Sequence, residues 1–217
     1  MKKSLLVFLL MLLATLACKA TEPIRRVLFI GDSMTGWLAE RLEAYGTLNG
    51  FEVSTVIWDG STLPKWVNSG KLPSLIKTHK PDAVFICLGL NEILAKDMNA
   101  RMSKPVAALE QQLEGIPFVW VGPPTWPGKS TGQAFNDWMK THIHGTGHYF
   151  DSQALKLPRQ SAGNPHPTRA ACASWMDAVV HWLPSADIGF PASMKQPASG
   201  EMKRGKVYIY RRMKQAL

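Results

Sequence analysis

The sequence predicts an α/β protein: a three-layer α/β/α sandwich around a five-stranded parallel sheet. Three observations predict it. Short apolar, β-branched runs alternate five times with amphipathic segments, at spacings that suit right-handed crossovers. The runs at 27–30 and 83–88 are nearly continuous in apolar residues, as strands covered on both faces are. The chain of 217 residues is also long enough for one such domain with a substantial core, and too short for two comfortable ones.

The elements follow in order. Val27-Leu28-Phe29-Ile30 reads as a buried strand that stops abruptly at Gly31-Asp32-Ser33. A helical pattern carries Trp37, Leu38, Arg41, Leu42 and Tyr45. Residues 51–58 (FEVSTVIW) alternate and are rich in β-branched side chains, and this second strand ends at Asp59-Gly60-Ser61-Thr62. A helix over 71–79 is closed by Lys80-Pro81, and the strand at 83–88 ends at Gly89-Leu90-Asn91-Glu92. The helix expected over 103–114 opens on Ser103, with Pro105 near its first turn. A fourth strand spans 116–121, and the loop Gly-Pro-Pro-Thr-Trp-Pro-Gly follows at 122–128. Residues 131–143 read as helix with Phe135, Trp138 and Met139 on one side, 148–150 as a short fifth strand, and 167–183 as a last helix. Residues 184–205, rich in Pro, Ser, Ala and Gly, read as linker, and 207–210 as either an added edge strand or an unstructured end.

The first 20 residues stand apart from the fold. Lys2 and Lys3 precede an unbroken apolar run over 5–13, then small residues and Cys18, the pattern of a signal peptide. Leu16-Ala17-Cys18 resembles a bacterial lipobox that would leave Cys18 lipidated and the protein membrane-anchored. Cys18-Lys19-Ala20 equally resembles a small-x-small cleavage site. Both routes imply an exported protein: periplasmic, lipid-anchored or secreted. Export permits a disulfide, but Cys87 on a strand and Cys172 on a helix are expected as two buried thiols. The formal charge of +9 is concentrated at the end, where residues 184–217 hold seven cations against two carboxylates. The main domain, 26–183, is only mildly basic. A basic linker or tail suits a solvated end or an anionic surface, and nothing resembles a nucleic-acid module.

Chemistry-bearing residues collect at the strand ends. Ser33 follows the first strand, Gly60 the second and Asn91 the third, while His166 precedes the last helix. In a parallel sheet these ends share one rim. A hydroxyl, an imidazole and amide donors on one rim are what acyl transfer needs.

The same residues carry a resemblance. Gly31-Asp32-Ser33, Asp59-Gly60-Ser61, Gly89-Leu90-Asn91-Glu92 and His166-Pro167-Thr168, in this order, resemble the blocks of the SGNH (GDSL-type) hydrolases. The resemblance covers about residues 26–183 and implies a flavodoxin-like SGNH hydrolase fold that needs no cofactor and no metal. It makes Ser33 the nucleophile and His166 the general base. The Ser33 and Gly60 N–H groups and the Asn91 side-chain amide would hold the oxyanion. One block departs: the family usually places an aspartate three residues before the histidine, and here that residue is Gly163. Three explanations compete. A backbone carbonyl, Ser161 or Asn164 orients His166; Asp151 reaches it from the fifth strand; or catalysis has been lost.

Further candidates are Trp66 and Trp126, read as loop aromatics lining an acyl or sugar pocket, and Glu92, read as a brace for the Asn91 loop. His142, His144 and His148 have spacing that suggests zinc, but a solvated helix end is the favoured reading. The function expected is an exported serine esterase acting on short, acetyl-type esters of envelope or extracellular glycans, with a small-molecule or glycan ester as partner. The alternatives are an O-acyltransferase using the same residues and a silent glycan-binding or assembly module.

Overall fold

Successive side chains of a strand point to opposite faces, and β1 (Arg26–Gly31) uses this to feed two cores. Val27 and Phe29 pack on one side, Leu28 and Ile30 on the other, all buried. The computed structural model describes residues 23–125 and 132–210. After β1 come α1 (Thr35–Asn49), β2 (Glu52–Trp58), α2 (Leu63–Asn68), α3 (Lys71–His79), β3 (Ala83–Cys87), α4 (Met98–Gln112), β4 (Phe118–Val121), α5 (Gln133–His142), β5 (Gly147–Phe150), α6 (Arg169–Ala186) and β6 (Lys206–Tyr210). Helices α1 and α6 cover the Val27 face, through Leu38, Leu42, Trp175 and Met176 among others. Helices α2 to α5 cover the Leu28 face. The result is the expected three-layer sandwich.

The sheet is wholly parallel in the order β5-β4-β3-β1-β2-β6. It has six strands, not the five expected. The sixth, Lys-Val-Tyr-Ile-Tyr, adds to the outer edge of β2 in the register Ser54↔Lys206 to Trp58↔Tyr210. Arg41 anchors the segment that leads to it. This guanidinium, buried in α1, pairs with Asp177 at 2.7 Å and donates to the carbonyls of Pro197, Ala198 and Glu201. The segment that reads as linker is therefore tied across the domain by its backbone. A buried cation needs such partners, since leaving one unpaired costs several kcal/mol, about 3–5.

Capping explains where helix boundaries differ from expectation. Helix α4 begins at Met98 because the Asp97 carboxylate accepts the Ala100 N–H at 2.9 Å. Pro105 consequently lies inside it and removes one ladder donor. Helix α6 starts at Arg169, two residues after Pro167, with the Thr168 hydroxyl accepting the Ala171 N–H. Helix α2, a six-residue turn of chain, was not expected at all. Its first N–H, on Leu63, is taken by the Glu92 carboxylate at 2.7 Å. Cys87 and Cys172 are free, buried thiols. Among the described residues no helix is long and apolar enough to cross a membrane.

Candidate active site

From β1 the chain crosses to β2 on one side, while β3 leads to β4 and β5 on the other. The switch point lies between the carboxyl ends of β1 and β3, the crevice where open α/β sheets hold ligands. Ser33 stands just beyond β1, and Asn91 just beyond β3.

Ser33 is exposed at the mouth of a tight turn. Gly31 makes that turn fit: a Cβ there would lie 2.2 Å from both the Cys87 carbonyl and Thr35 Oγ1. Asp32, fully buried, ties the turn to the neighbouring strand through its N–H to the Cys87 carbonyl at 3.1 Å. Its carboxylate accepts the Met34 N–H at 2.9 Å, and burial pushes its pKa up to about 7.

His166 arrives on a loop with a frame of its own. Arg159 and Pro167 form an antiparallel bridge, the Gln160 N–H bonds the His166 carbonyl at 3.0 Å, and the Thr168 N–H bonds the Pro158 carbonyl at 2.8 Å. The Arg159 guanidinium spans from this loop to the next, donating to the Pro165 and Thr125 carbonyls at 2.7 Å each. Asn164 then sets the imidazole. Its Oδ1 lies 2.9 Å from both the backbone N–H and Nδ1 of His166. An amide oxygen only accepts, so Nδ1 carries the proton and Nε2 presents its lone pair. That lone pair faces Ser33 Oγ at 2.9 Å. Burial holds the His166 pKa below its usual value; the Asp59 charge opposes this and the Arg159 charge adds to it.

Gly163, where the resemblance expects an acid, is a turn residue at φ +73°, with the Asn164 N–H closing onto the Ser161 carbonyl at 3.1 Å. Asp151 is engaged elsewhere. It pairs with Lys140 and accepts the Gln153 N–H at 3.0 Å, and these partners outweigh its burial to hold its pKa low. Of the two candidate orienting groups, Asn164 is the one bonded to the imidazole, and Asp151 spends its charge on a lysine.

The candidate amide donors stand on the loops that follow β2 and β3. Gly60 adopts φ +64°, a left-handed conformation that suits glycine. Among the described residues, neither its N–H nor that of Ser33 bonds a protein acceptor. The Asn91 amide is already engaged: Nδ2 donates to the Ser61 carbonyl at 2.8 Å and to Asp32 at 3.3 Å. Only the second, longer bond is weak enough to yield readily to an incoming oxyanion. Glu92, buried, braces this loop against α2, and burial raises its pKa to about 7.

A pocket of about 210 Å³ opens beside Ser33 and His166, walled by Met34, Trp37, Pro167 and Cys172 with Gln160 as its polar edge. Of the two predicted lining tryptophans, Trp66 is not part of it. Trp66 is fully buried in α2 with its indole N–H bonded to Ser61 Oγ at 2.9 Å, so that reading is corrected. Trp126 lies outside the described residues. His142 stacks on Trp138 at 3.9 Å, and among the described residues no three His, Cys, Asp or Glu side chains gather as a metal site.

No family model matches the sequence, and no curated protein matches it. Solved structures do. TesA superposes with a TM-score of 0.60 at 22% identity, covering 75% of this chain and 99% of its own. A Clostridium thermocellum family 3 carbohydrate esterase gives 0.58 at 17%, covering 76% and 98%. The fold is that of the SGNH hydrolases. A two-domain esterase active on acetylated mannans shares it at 0.56 and 14% identity, over 86% of this chain and 56% of that one. On this SGNH fold, sequence reasoning missed Arg159 and Gln160. The available signal was a lone cation flanked by Pro158 and, a few residues on, Pro165 and Pro167.

Proposed function

We propose that the protein is a serine esterase of short acyl groups. The observation that carries this reading is the 2.9 Å contact between exposed Ser33 Oγ and the unprotonated Nε2 of His166. Oγ attacks the ester carbonyl as Nε2 takes its proton. The Ser33 and Gly60 N–H groups, with Asn91 Nδ2, receive the oxyanion. Collapse expels the alcohol, which takes the proton from Nε2, and water attacks the acyl-serine by the same route. Asn164 keeps the tautomer correct throughout. Being neutral, it lends the imidazolium no charge, so this is a dyad with a neutral third member.

The pocket supports a short acyl group, being smaller than the roughly 300–1,000 Å³ that drug-sized ligands occupy. The leader-like pattern at 1–20 supports an exported protein and hence an extracellular or envelope ester. Carbohydrate esterases on the same fold support a glycan as the alcohol part. The test is hydrolysis of 4-nitrophenyl acetate and octanoate. The wild type should prefer acetate, and Ser33→Ala and His166→Ala should each lose roughly 10³-fold or more, equally within error. Turnover by Ser33→Ala close to wild type would remove the reading.

A further inference from the structure

The second strand ends at the oxyanion loop, and β6 ends beside it. The Asp59 N–H bonds the Tyr210 carbonyl at 3.2 Å, so Tyr210 sits on the same rim as Gly60. The Tyr210 and Trp58 rings pack edge to face at 6.4 Å, and Tyr210 is 37% exposed, one of five large apolar side chains that open to solvent among the described residues. Lys71 Nζ lies 4.2 Å from the Tyr210 ring centre and 5.3 Å from that of Trp58. Lys65 Nζ lies 3.1 Å from the Gly60 carbonyl. Neither lysine has a carboxylate partner among the described residues. The acid on that loop, Asp59, acts on His166.

We propose that Lys65, Lys71, Trp58 and Tyr210 form a subsite for an anionic sugar, so that the preferred substrate is an acylated acidic polysaccharide. This rests on the esterase reading. An aromatic pair with one ammonium group beside it and a second at the Gly60 carbonyl suits a ring that is apolar on one side and carries a carboxylate. Neighbouring strands are about 4.8 Å apart, which puts the end of β6 roughly 10 Å from that of β1. That is the reach of a short oligosaccharide whose ester sits over Ser33. The strip joins the candidate site along the chain through Asp59–Gly60 and is complementary in charge to the ligand. Among the described residues nothing pairs with the outer edge of β6, which also suits a second copy of the chain, and the experiment distinguishes the two.

The test uses the full chain carrying Ser33→Ala, which binds without consuming the ligand, and follows calorimetric titration with O-acetylated oligogalacturonate and O-acetylated xylo-oligosaccharide. The acidic oligomer should bind at least tenfold tighter, and that preference should shrink as salt rises. Lys71→Gln and Tyr210→Ser, each checked for folding by circular dichroism, should each weaken acidic binding by about tenfold. Equal affinity for the two oligomers, or unchanged binding in both variants, overturns the proposal. So does sedimentation showing a dimer that Tyr210→Ser dissolves, because that face would then be covered. Loss of 4-nitrophenyl acetate hydrolysis is not read here, so failure of the esterase reading shows separately.

Discussion

Replacing Asn164 by aspartate should make the protein a better esterase. The side chain already accepts the Nδ1 proton of His166 at 2.9 Å and the backbone N–H at the same distance, so the substitution swaps an amide for a carboxylate without moving an atom. A full charge about 4 Å from the ring centre is worth up to roughly 4 kcal/mol at an effective dielectric constant of 20. A carboxylate so placed typically shifts a pKa by about 1–3 units. Half-burial and partial solvation argue for the lower part of that range. The His166 pKa, now held below normal by burial, should therefore rise by about 1–2 units. The imidazolium of the transition state should gain a similar amount, about 1.4–2.7 kcal/mol or 10–100-fold in rate. The assay is the pH profile of kcat/KM for 4-nitrophenyl acetate. The alkaline plateau should climb and the acid limb should move to higher pH together. A plateau that falls, or climbs with no displacement of the acid limb, would refute the reasoning. Either result would mean that Asn164 does not act through the imidazole.

Other substitutions probe the frame. Gly31→Ala places a methyl 2.2 Å from two oxygens; it should destabilise by about 1–3 kcal/mol or more, read as a lower urea midpoint, and an unchanged midpoint would mean the turn can relax. Arg159→Ala removes both struts of the His166 loop. It should lower kcat by roughly 10–100-fold through misplacement of the imidazole, and stopped-flow acylation rates would show whether it does. Glu92→Gln keeps an oxygen for the Leu63 N–H and removes a charge whose pKa burial has raised to about 7. A raised carboxyl stabilises the fold fully below its unfolded pKa and loses that contribution as pH climbs through the folded value. Wild type should therefore lose stability between about pH 4.5 and 7, and the variant should lose less, by up to about 3 kcal/mol. Urea unfolding at pH 5 and pH 8 reads the difference; an identical pH response in both proteins would place the burden on Asp32 alone.

The layers and five of the strands were legible because hydrophobic patterning at 27–30 and 83–88 reports burial on both faces directly. Ser33, Gly60 and Asn91 were legible as candidates for a related reason. A parallel sheet turns the question of which residues meet into the question of which residues follow strands. Contacts made at a distance left no local trace. Arg41 sits in the middle of α1, in a helical pattern that names no partner for it, yet its partners are Asp177 and carbonyls near residue 200. Without them the polar stretch after residue 184 looks like linker and β6 like an end. Trp66 looked exposed because α2 has too few residues to show a helical period, and the serine that satisfies its indole lies before the helix begins. Asp151 looked available because nothing in its neighbourhood announces that Lys140, eleven residues earlier, takes its charge.

The central claim is that His166 activates Ser33. It is tested most directly by exposing the folded protein to a fluorophosphonate and locating the adduct by peptide mass spectrometry. The account predicts phosphonylation on Ser33, at a rate that rises with pH through the His166 titration and that drops at least a hundredfold in His166→Ala. An unlabelled Ser33 in folded wild type, or equal labelling rates with and without the imidazole, would contradict it.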